Sequence, residues 1–209
     1  GAEALEYLFR SGRFAGRPTS RGEVAVALER ASLLPAIYFI FSRVGCDAAV
    51  RQVYDAGITL TDRGEAALLG SIADRHVAGL SEQDLEALDF EGFREALCAG
   101  VAAHHAGQLP AFKAIVEEAF VTGALKIVFA TETLALGINM PARTVVLEKL
   151  IKYNGESHVD ITPGEYTQLT GRAGRRGIDV EGHAVVMWQS GMDARAVAGL
   201  ASRRTYPLK

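Results

Sequence analysis

Short apolar runs alternate along the chain with segments in which apolar residues recur at helical spacing. The runs are continuous and carry few polar residues, which is typical of strands covered by helices on both faces. They predict strands at residues 37–41, 101–105, 126–130, 144–147 and 184–188. The alternation of strand and helix predicts an α/β fold, a single lobe with a mainly parallel sheet flanked by helices.

The segments between the runs carry helix signals. Ser20 and Glu23 form a capping-box pattern ahead of an apolar stripe, and Pro110 opens another helix. A further helix is predicted from apolar positions at helical spacing, namely Cys46, Ala49, Val50, Val53 and Tyr54. Residues 58–98 lack strand-like runs, so they predict a helical insertion on the flank of the lobe.

The composition is that of an ordinary globular protein, with 209 residues of which 49% are hydrophobic and 22% charged. No apolar run approaches the roughly 20 residues of a membrane-spanning helix, and no signal-peptide pattern begins the chain, so a cytoplasmic location without membrane contact is expected. The formal net charge of −3 means that any nucleic-acid binding must come from local groups. Cys46 and Cys98 lack a CxxC partner and are expected to be buried thiols.

The chemistry of a parallel sheet is expected just beyond the carboxyl ends of its strands. Those positions hold Ser42-Arg43, residues 104–107, residues 131–133 and the segment after Leu147. These loops are therefore predicted to lie together at one end of the sheet. His104 and His105 raise the question of a metal, but no third ligand stands at a useful spacing. One histidine packed beneath the turn at Gly107 is the expected arrangement.

The segment 162–177 is the most distinctive part of the sequence. Its first residues are an N-cap, a first-turn proline and a capping-box partner, at Thr162, Pro163 and Glu165. On the helix so begun, Gln168, Arg172 and Arg175 are predicted to share one polar face. Planar, permanently charged guanidiniums suit a triphosphate, whose charge shifts during phosphoryl transfer. A solvated basic face is the alternative that the same pattern leaves open.

Four motifs carry a resemblance to a known family. Residues 168–177, QLTGRAGRRG, resemble motif VI of superfamily-two helicases in the form used by the Ski-like DExH branch, and residues 129–143, FATETLALGINMPAR, resemble its motif V. Residues 38–43, YFIFSR, resemble motif IV, and residues 103–110, AHHAGQLP, resemble the adjoining motif. The likeness is greatest to the actinobacterial members of that branch. The resemblance implies the second, carboxyl-terminal RecA-like lobe of a helicase motor.

The resemblance implies which residues meet ATP. In this family the motif VI arginines, here Arg172 and Arg175, act across a cleft on ATP bound to the first lobe. Gln168 would orient the attacking water or touch the γ-phosphate. Arg176 is left as a candidate for pairing with an acidic neighbour. Positions near the nucleotide ribose are matched by Gly137 and Asn139.

The resemblance also implies contacts to the backbone of a single nucleic-acid strand, with RNA favoured over DNA. The matching positions are Thr131, Arg43, His105 and Gly107. A hydroxyl, a guanidinium and exposed backbone donors at strand ends suit phosphate contacts without base readout. Lys149 and Lys152, close to Tyr153, are compatible with either a basic patch or a solvated loop.

The sequence holds neither the phosphate-binding loop GxxxxGK[ST] nor DExH. ATP and Mg²⁺ are therefore expected to be held mainly by the amino-terminal RecA-like lobe of the same polypeptide, and this chain alone is expected to be inactive. Residues 1–19 are interpreted as a linker or preceding segment, 20–200 as the helicase carboxyl-terminal domain and 201–209 as the start of a following domain. Two alternatives stay open: a DNA helicase of a related branch and a non-catalytic nucleic-acid-binding module.

Overall fold

The computed structural model describes residues 20–132, 140–149, 151–180 and 182–187. Its helices are α1 (Arg21–Arg30), α2 (Arg43–Asp55), α3 (Arg63–His76), α4 (Glu82–Ala87), α5 (Phe90–Cys98), α6 (Pro110–Val121) and α7 (Pro163–Thr170). Its strands are β1 (Ala36–Phe39), β2 (Val101–His104), β3 (Ile127–Ala130), β4 (Thr144–Leu147), β5 (Ile151–Tyr153), β6 (His158–Asp160) and β7 (His183–Val186). Within the described ranges, no helix is long and apolar enough to cross a membrane.

Five strands form one sheet in the order β2-β3-β1-β4-β7, and every pair in it is parallel. The predicted parallel α/β sheet is therefore confirmed, with strand ends that differ slightly from the predicted ones. The last predicted strand position, Trp188, lies outside the described residues. The antiparallel hairpin β5–β6 was not predicted, because its strands are short and largely exposed.

The sheet is covered on both faces. Successive side chains of a strand point to opposite faces. On β1, Ile37 and Phe39 join a core formed with α3, α6 and α7, whereas Tyr38 joins a second core formed with α1 and α2. Because both faces are buried, the strands read as continuous apolar runs.

The region 58–98 is helical and free of strands, as predicted. Helix α3 buries Leu69, Ile72 and Ala73 and packs against α5 and α6. Glu65 in its first turn forms an ion pair with Lys126, which precedes β3. The region therefore packs on the flank of the sheet and contributes to both of its cores, with Leu69 and Leu97 in one and Leu60 and Ala96 in the other.

The parallel strands give the sheet a carboxyl end and an amino end. The carboxyl end is where β1, β2, β3, β4 and β7 stop, at residues level with one another in the register. Since β4 and β7 are parallel neighbours, the chain after β4 must return to the amino end before β7 begins. The 8 residues of α7 span about 12 Å, close to the roughly 13 Å of a four-residue strand, so α7 provides most of that return. Residues 171–180, residue 182 and residues 140–143 consequently lie at the amino end, where they lead into β7 and β4.

Candidate functional site

The predicted loops after β1, β2, β3 and β4 do meet at the carboxyl end of the sheet. Arg43 is the first residue of α2, whose N-cap Ser42 accepts the Gly45 N–H at 3.0 Å. The side chain of Arg43 lies beside the turn that follows β2: its Cδ is 3.4 Å from the position that a Cβ on Gly107 would occupy. Arg43 and Gly107 are therefore neighbours, and both are exposed. Both were predicted to contact a nucleic-acid strand.

The turn after β2 is braced from beneath by His105. The Gly107 N–H donates to Nδ1 of the ring at 3.1 Å, and Nε2 lies 2.8 Å from an oxygen of Asp47 on α2. Because Nδ1 accepts, the ring proton is on Nε2 and donates to Asp47. His105 is 5% exposed, which confirms the predicted histidine beneath the turn. Ala106 and Gly107 provide the exposed backbone.

Gln108, which the sequence did not single out as a candidate site residue, closes the same turn. Its Oε1 accepts the His105 N–H at 3.0 Å and its Nε2 donates to the Ala103 carbonyl at 2.7 Å. One amide side chain thus ties the two ends of the turn together. The signal in the sequence was only its position within the motif at residues 103–110.

The two adjacent histidines have different partners. His104 is buried, and its Nε2 lies 2.8 Å from Glu117 on α6, whereas His105 faces Asp47 on α2. Within residues 20–132, 140–149, 151–180 and 182–187, no group of three or more His, Cys, Asp or Glu is arranged to hold a metal ion.

Thr131 and Glu132 follow β3 at the same end of the sheet. Thr131 is buried, and its N–H donates to the His104 carbonyl at 3.4 Å. Glu132 lies 3.9 Å from Lys152 of the hairpin, and Lys152 also forms an ion pair with Glu165 in the first turn of α7. The bond to Glu165 raises the pKa of Lys152. Lys152 is thus engaged by two carboxylates, so it links the hairpin to α7 and is a weak member of a basic patch.

A half-buried carboxylate fixes the segment after β4. Glu148 accepts two bonds from the Arg21 guanidinium, each at 2.9 Å, and one from the Tyr38 hydroxyl at 2.8 Å. Burial acts to raise the pKa of Glu148, but the bonds from Arg21 and Tyr38 outweigh burial and lower it. The network joins α1 to the ends of two central strands.

Helix α7 begins as predicted. Thr162 Oγ1 accepts the Glu165 N–H at 3.1 Å, and Glu165 Oε1 accepts the Thr162 N–H at 3.2 Å, which completes the capping box. Tyr166 and Leu169 are buried against the sheet, and Gln168 is exposed.

The prediction that Gln168, Arg172 and Arg175 share one helix face was wrong. The helix ends at Thr170, with Gly171 as its C-cap. Ala173 instead pairs with Ala142 in an isolated parallel bridge. The pairing partner lies far away in the sequence, so local spacing could not reveal it.

The backbone beyond the helix is fixed by that pairing. The Ala142 N–H donates to the Arg172 carbonyl at 3.0 Å, and the Gly174 N–H donates to the Ala142 carbonyl at 2.6 Å. Gly174 has a φ of 90°, a conformation that L side chains rarely adopt. Arg172 and Arg175 therefore lie on a loop held against the segment that leads into β4.

Arg175 is bound by Asp179, a residue that sequence reasoning missed. Asp179 accepts the Arg175 Nε at 2.8 Å, its Nη2 at 2.9 Å and its backbone N–H at 2.9 Å. These bonds, the side-chain pair first, lower the pKa of Asp179 to about 2. Asp179 is thus engaged by Arg175, and Arg176 is exposed. The only signal in the sequence was an acidic residue four positions after Arg175.

The candidate residues fall into two groups. Arg43, His105, Gly107 and Thr131 lie at the carboxyl end of the sheet, and Arg172 and Arg175 lie at its amino end. Gln168 lies on α7, which runs between the two ends. Gly137 and Asn139 lie outside the described residues.

Comparison with known proteins gives a consistent picture. Residues 77–177 match the helicase conserved C-terminal domain family. The chain is 59% identical over 193 residues to the probable helicase HelY of Mycobacterium tuberculosis, which covers 92% of this chain and 21% of that protein. Identity is 44% over 164 residues to the DExH-box ATP-dependent RNA helicase DExH15, chloroplastic, of Arabidopsis thaliana (77% of this chain, 13% of that protein). It is 36% over 165 residues to the antiviral helicase SKI2 of Saccharomyces cerevisiae (79% and 13%).

These similarities confirm the resemblance read from the four motifs. The chain spans between 13% and 21% of the length of these three relatives.

Proposed function

We propose that this chain, whose residues 77–177 match the helicase conserved C-terminal domain family and which is similar to HelY and SKI2, is the second RecA-like motor lobe of an ATP-dependent RNA helicase. ATP, with Mg²⁺, is bound mainly by a first lobe of the same polypeptide. The second lobe supplies guanidiniums to that ATP and grips one nucleic-acid strand.

The observation that carries the proposal is the division of the candidate residues between the two ends of one sheet. The arginine-bearing loop lies at the amino end, next to the segment that leads into β4. The candidate contacts to the nucleic-acid strand lie at the carboxyl end, about 13 Å away, which is the length of a four-residue β-strand. One rigid sheet thus separates the two functions, and a rigid connection suits a lobe that moves as one body when ATP binds.

At the amino end, Arg172 and Arg175 act as arginine fingers. Guanidiniums fixed on a braced loop need little reorganisation when charge develops on a transferring phosphoryl group. Arginine fingers accelerate such transfers by about 10³- to 10⁵-fold. Gln168 is exposed on α7, where its amide would orient the attacking water. Gly137 and Asn139 lie near the ribose of the bound ATP in this proposal.

At the carboxyl end, Arg43 and the exposed backbone at Gly107 meet the phosphates of one strand. Thr131 offers its hydroxyl beside them. His105 acts indirectly, because its ring holds the Gly107 N–H rather than facing outwards. These groups read the sugar-phosphate backbone and carry no base specificity.

RNA is favoured over DNA because the relative DExH15 is named as an ATP-dependent RNA helicase. Backbone contacts distinguish RNA from DNA only where a 2′-hydroxyl is bound. The test is ATP hydrolysis by the full-length polypeptide with single-stranded RNA, then with single-stranded DNA of the same sequence. Stimulation of ATP hydrolysis by RNA supports the proposal. Stimulation by DNA alone would show that the lobe belongs to a DNA helicase. No stimulation by either nucleic acid would indicate a non-catalytic binding module.

A further inference from the structure

We propose that Asp179 is a positioning residue for Arg175: it holds one edge of the guanidinium so that the opposite edge meets the γ-phosphate. The inference rests on the proposed function and adds to it a residue outside the matched motif at 168–177. Asp179 touches neither ATP nor the strand in this scheme and acts through Arg175.

The geometry of the pair fixes the orientation of the guanidinium. Asp179 binds Arg175 through Nε and Nη2, with its two oxygens at 2.8 and 2.9 Å, so the two groups form a two-point contact. The carboxylate also accepts the Arg175 backbone N–H at 2.9 Å. Backbone and side chain of the same arginine are therefore held by one carboxylate.

The contact with Asp179 uses two of the guanidinium donors of Arg175 and leaves the others for further partners. A guanidinium carries five N–H donors, and the bonds to Asp179 use those on Nε and one side of Nη2. The remaining donors are on Nη1 and the outer side of Nη2, which is the edge suited to two phosphate oxygens. The Asp179 side chain is 3% exposed and the Arg175 side chain 20% exposed, so the carboxylate forms the inner support and the arginine the outer surface.

A second arginine compensates the charge of Asp179. Arg143, just before β4, places its Nε 3.7 Å from Asp179 Oδ1, and that Nε is buried without a hydrogen-bond partner among the described residues. Two guanidiniums and one carboxylate leave a net charge of +1, so the cluster of Arg143, Arg175 and Asp179 stays attractive to a phosphate. The cluster also ties the loop of residues 171–180 to the segment that enters β4.

The opposite role for Asp179 makes a different prediction. If Asp179 competed with ATP for Arg175, its removal would release the arginine and raise ATP turnover. If Asp179 positions Arg175, its removal lets the guanidinium rotate away and turnover falls. A misplacement of about 1 Å of a catalytic group costs up to about 100-fold in rate.

The experiment measures ATP turnover of the full-length polypeptide at saturating single-stranded RNA for Asp179→Asn, Asp179→Glu, Arg175→Ala and the double variant Arg175→Ala/Asp179→Asn. Asp179→Asn keeps the shape and loses the charge, and we expect its kcat to fall about 10- to 100-fold with the KM for ATP and the Kd for RNA nearly unchanged. Asp179→Glu restores the charge and is expected to recover part of the loss. The double variant is expected to be no slower than Arg175→Ala, because the two residues act as one unit.

Each failure has its own signature. Wild-type turnover in Arg175→Ala overturns the finger assignment itself. A strong loss in Arg175→Ala combined with unchanged or raised turnover in Asp179→Asn overturns only the positioning role. A further loss in the double variant beyond that of Arg175→Ala shows that Asp179 acts as a general structural support, which also overturns it. Thermal unfolding of each variant, with Asp179→Glu as the variant that retains the ion pair, separates a loss of fold from a loss of positioning.

Discussion

Gly182 lies directly against the backbone of Ala173. A Cβ at position 182 would stand 2.4 Å from both the carbonyl carbon and the carbonyl oxygen of Ala173, and 2.6 Å from the backbone nitrogen of Gly174. Real side chains do not approach a backbone so closely, so only glycine fits where the chain enters β7. The loop that carries Arg172 and Arg175 therefore packs closely against the amino end of the sheet.

Gly182→Ala is therefore expected to displace that loop. Overpacking of this kind costs about 1–3 kcal/mol, so the free energy of unfolding measured by chemical denaturation should fall by that amount, and RNA-stimulated ATP turnover should fall with it. Gly164→Ala is the matched control, because a Cβ there meets nothing closer than 3.9 Å. A Gly182→Ala protein as stable and as active as Gly164→Ala would show that the close approach does not hold the loop.

Arg43→Ala is expected to weaken binding to single-stranded RNA. The loss should appear as a reduced dependence on salt, with the slope of log K against log salt changing by about 0.7 for each phosphate contact removed. Arg63 is the matched control, because it is also an exposed first residue of a helix but lies near the start of β2, at the other end of the sheet. Equal salt slopes for Arg43→Ala and Arg63→Ala would remove Arg43 from the strand-binding surface.

Thr131 offers a test of a single hydroxyl. Thr131→Val keeps the shape of the buried side chain and removes its hydroxyl, so RNA affinity and the RNA stimulation of ATP turnover are expected to fall several-fold, as the loss of about one hydrogen bond implies. Thr131→Ser retains the hydroxyl and should bind RNA nearly as well as the wild type. If Val and Ser at this position bind RNA equally, the hydroxyl makes no strand contact.

The ion pair of Arg175 and Asp179 makes the free energy of unfolding depend on pH in the acidic range. The folded-state pKa of Asp179 is about 2, below its ordinary value of 3.8. Protonation is therefore harder in the folded state, and the stabilising contribution is present above about pH 4 and is lost as the pH falls towards 2. The free energy of unfolding of the 209-residue chain should decline more steeply over that window in the wild type than in Asp179→Asn. Parallel curves would show that Asp179 titrates normally.

The sequence predicted the sheet well because its signals are local. Continuous apolar runs such as 144–147 and capping patterns such as that of Thr162 and Glu165 need no knowledge of distant residues, and both agree with the structure. The hairpin β5–β6 lacked such a signal, since its residues are mostly exposed.

The arrangement of the arginines could not be predicted for a physical reason. Spacing alone extended α7 to Arg175, but the backbone of Ala142 offers Arg172 and Gly174 hydrogen bonds that a continued helix would forgo. Ala142 lies about thirty positions earlier in the chain, so the competition is decided by tertiary contacts. The pairing of Arg175 with Asp179 depends on that same change of direction.

The central claim is that ATP chemistry and strand binding occupy opposite ends of one sheet. The most direct test measures ATP turnover at saturating single-stranded RNA, together with RNA affinity, for Arg172→Ala and Arg43→Ala in the full-length polypeptide. The proposal predicts that Arg172→Ala loses about 10³-fold or more in turnover and keeps its RNA affinity, while Arg43→Ala loses affinity and recovers its turnover once RNA is saturating. Equal losses of turnover and affinity in both variants would contradict the separation of the two functions.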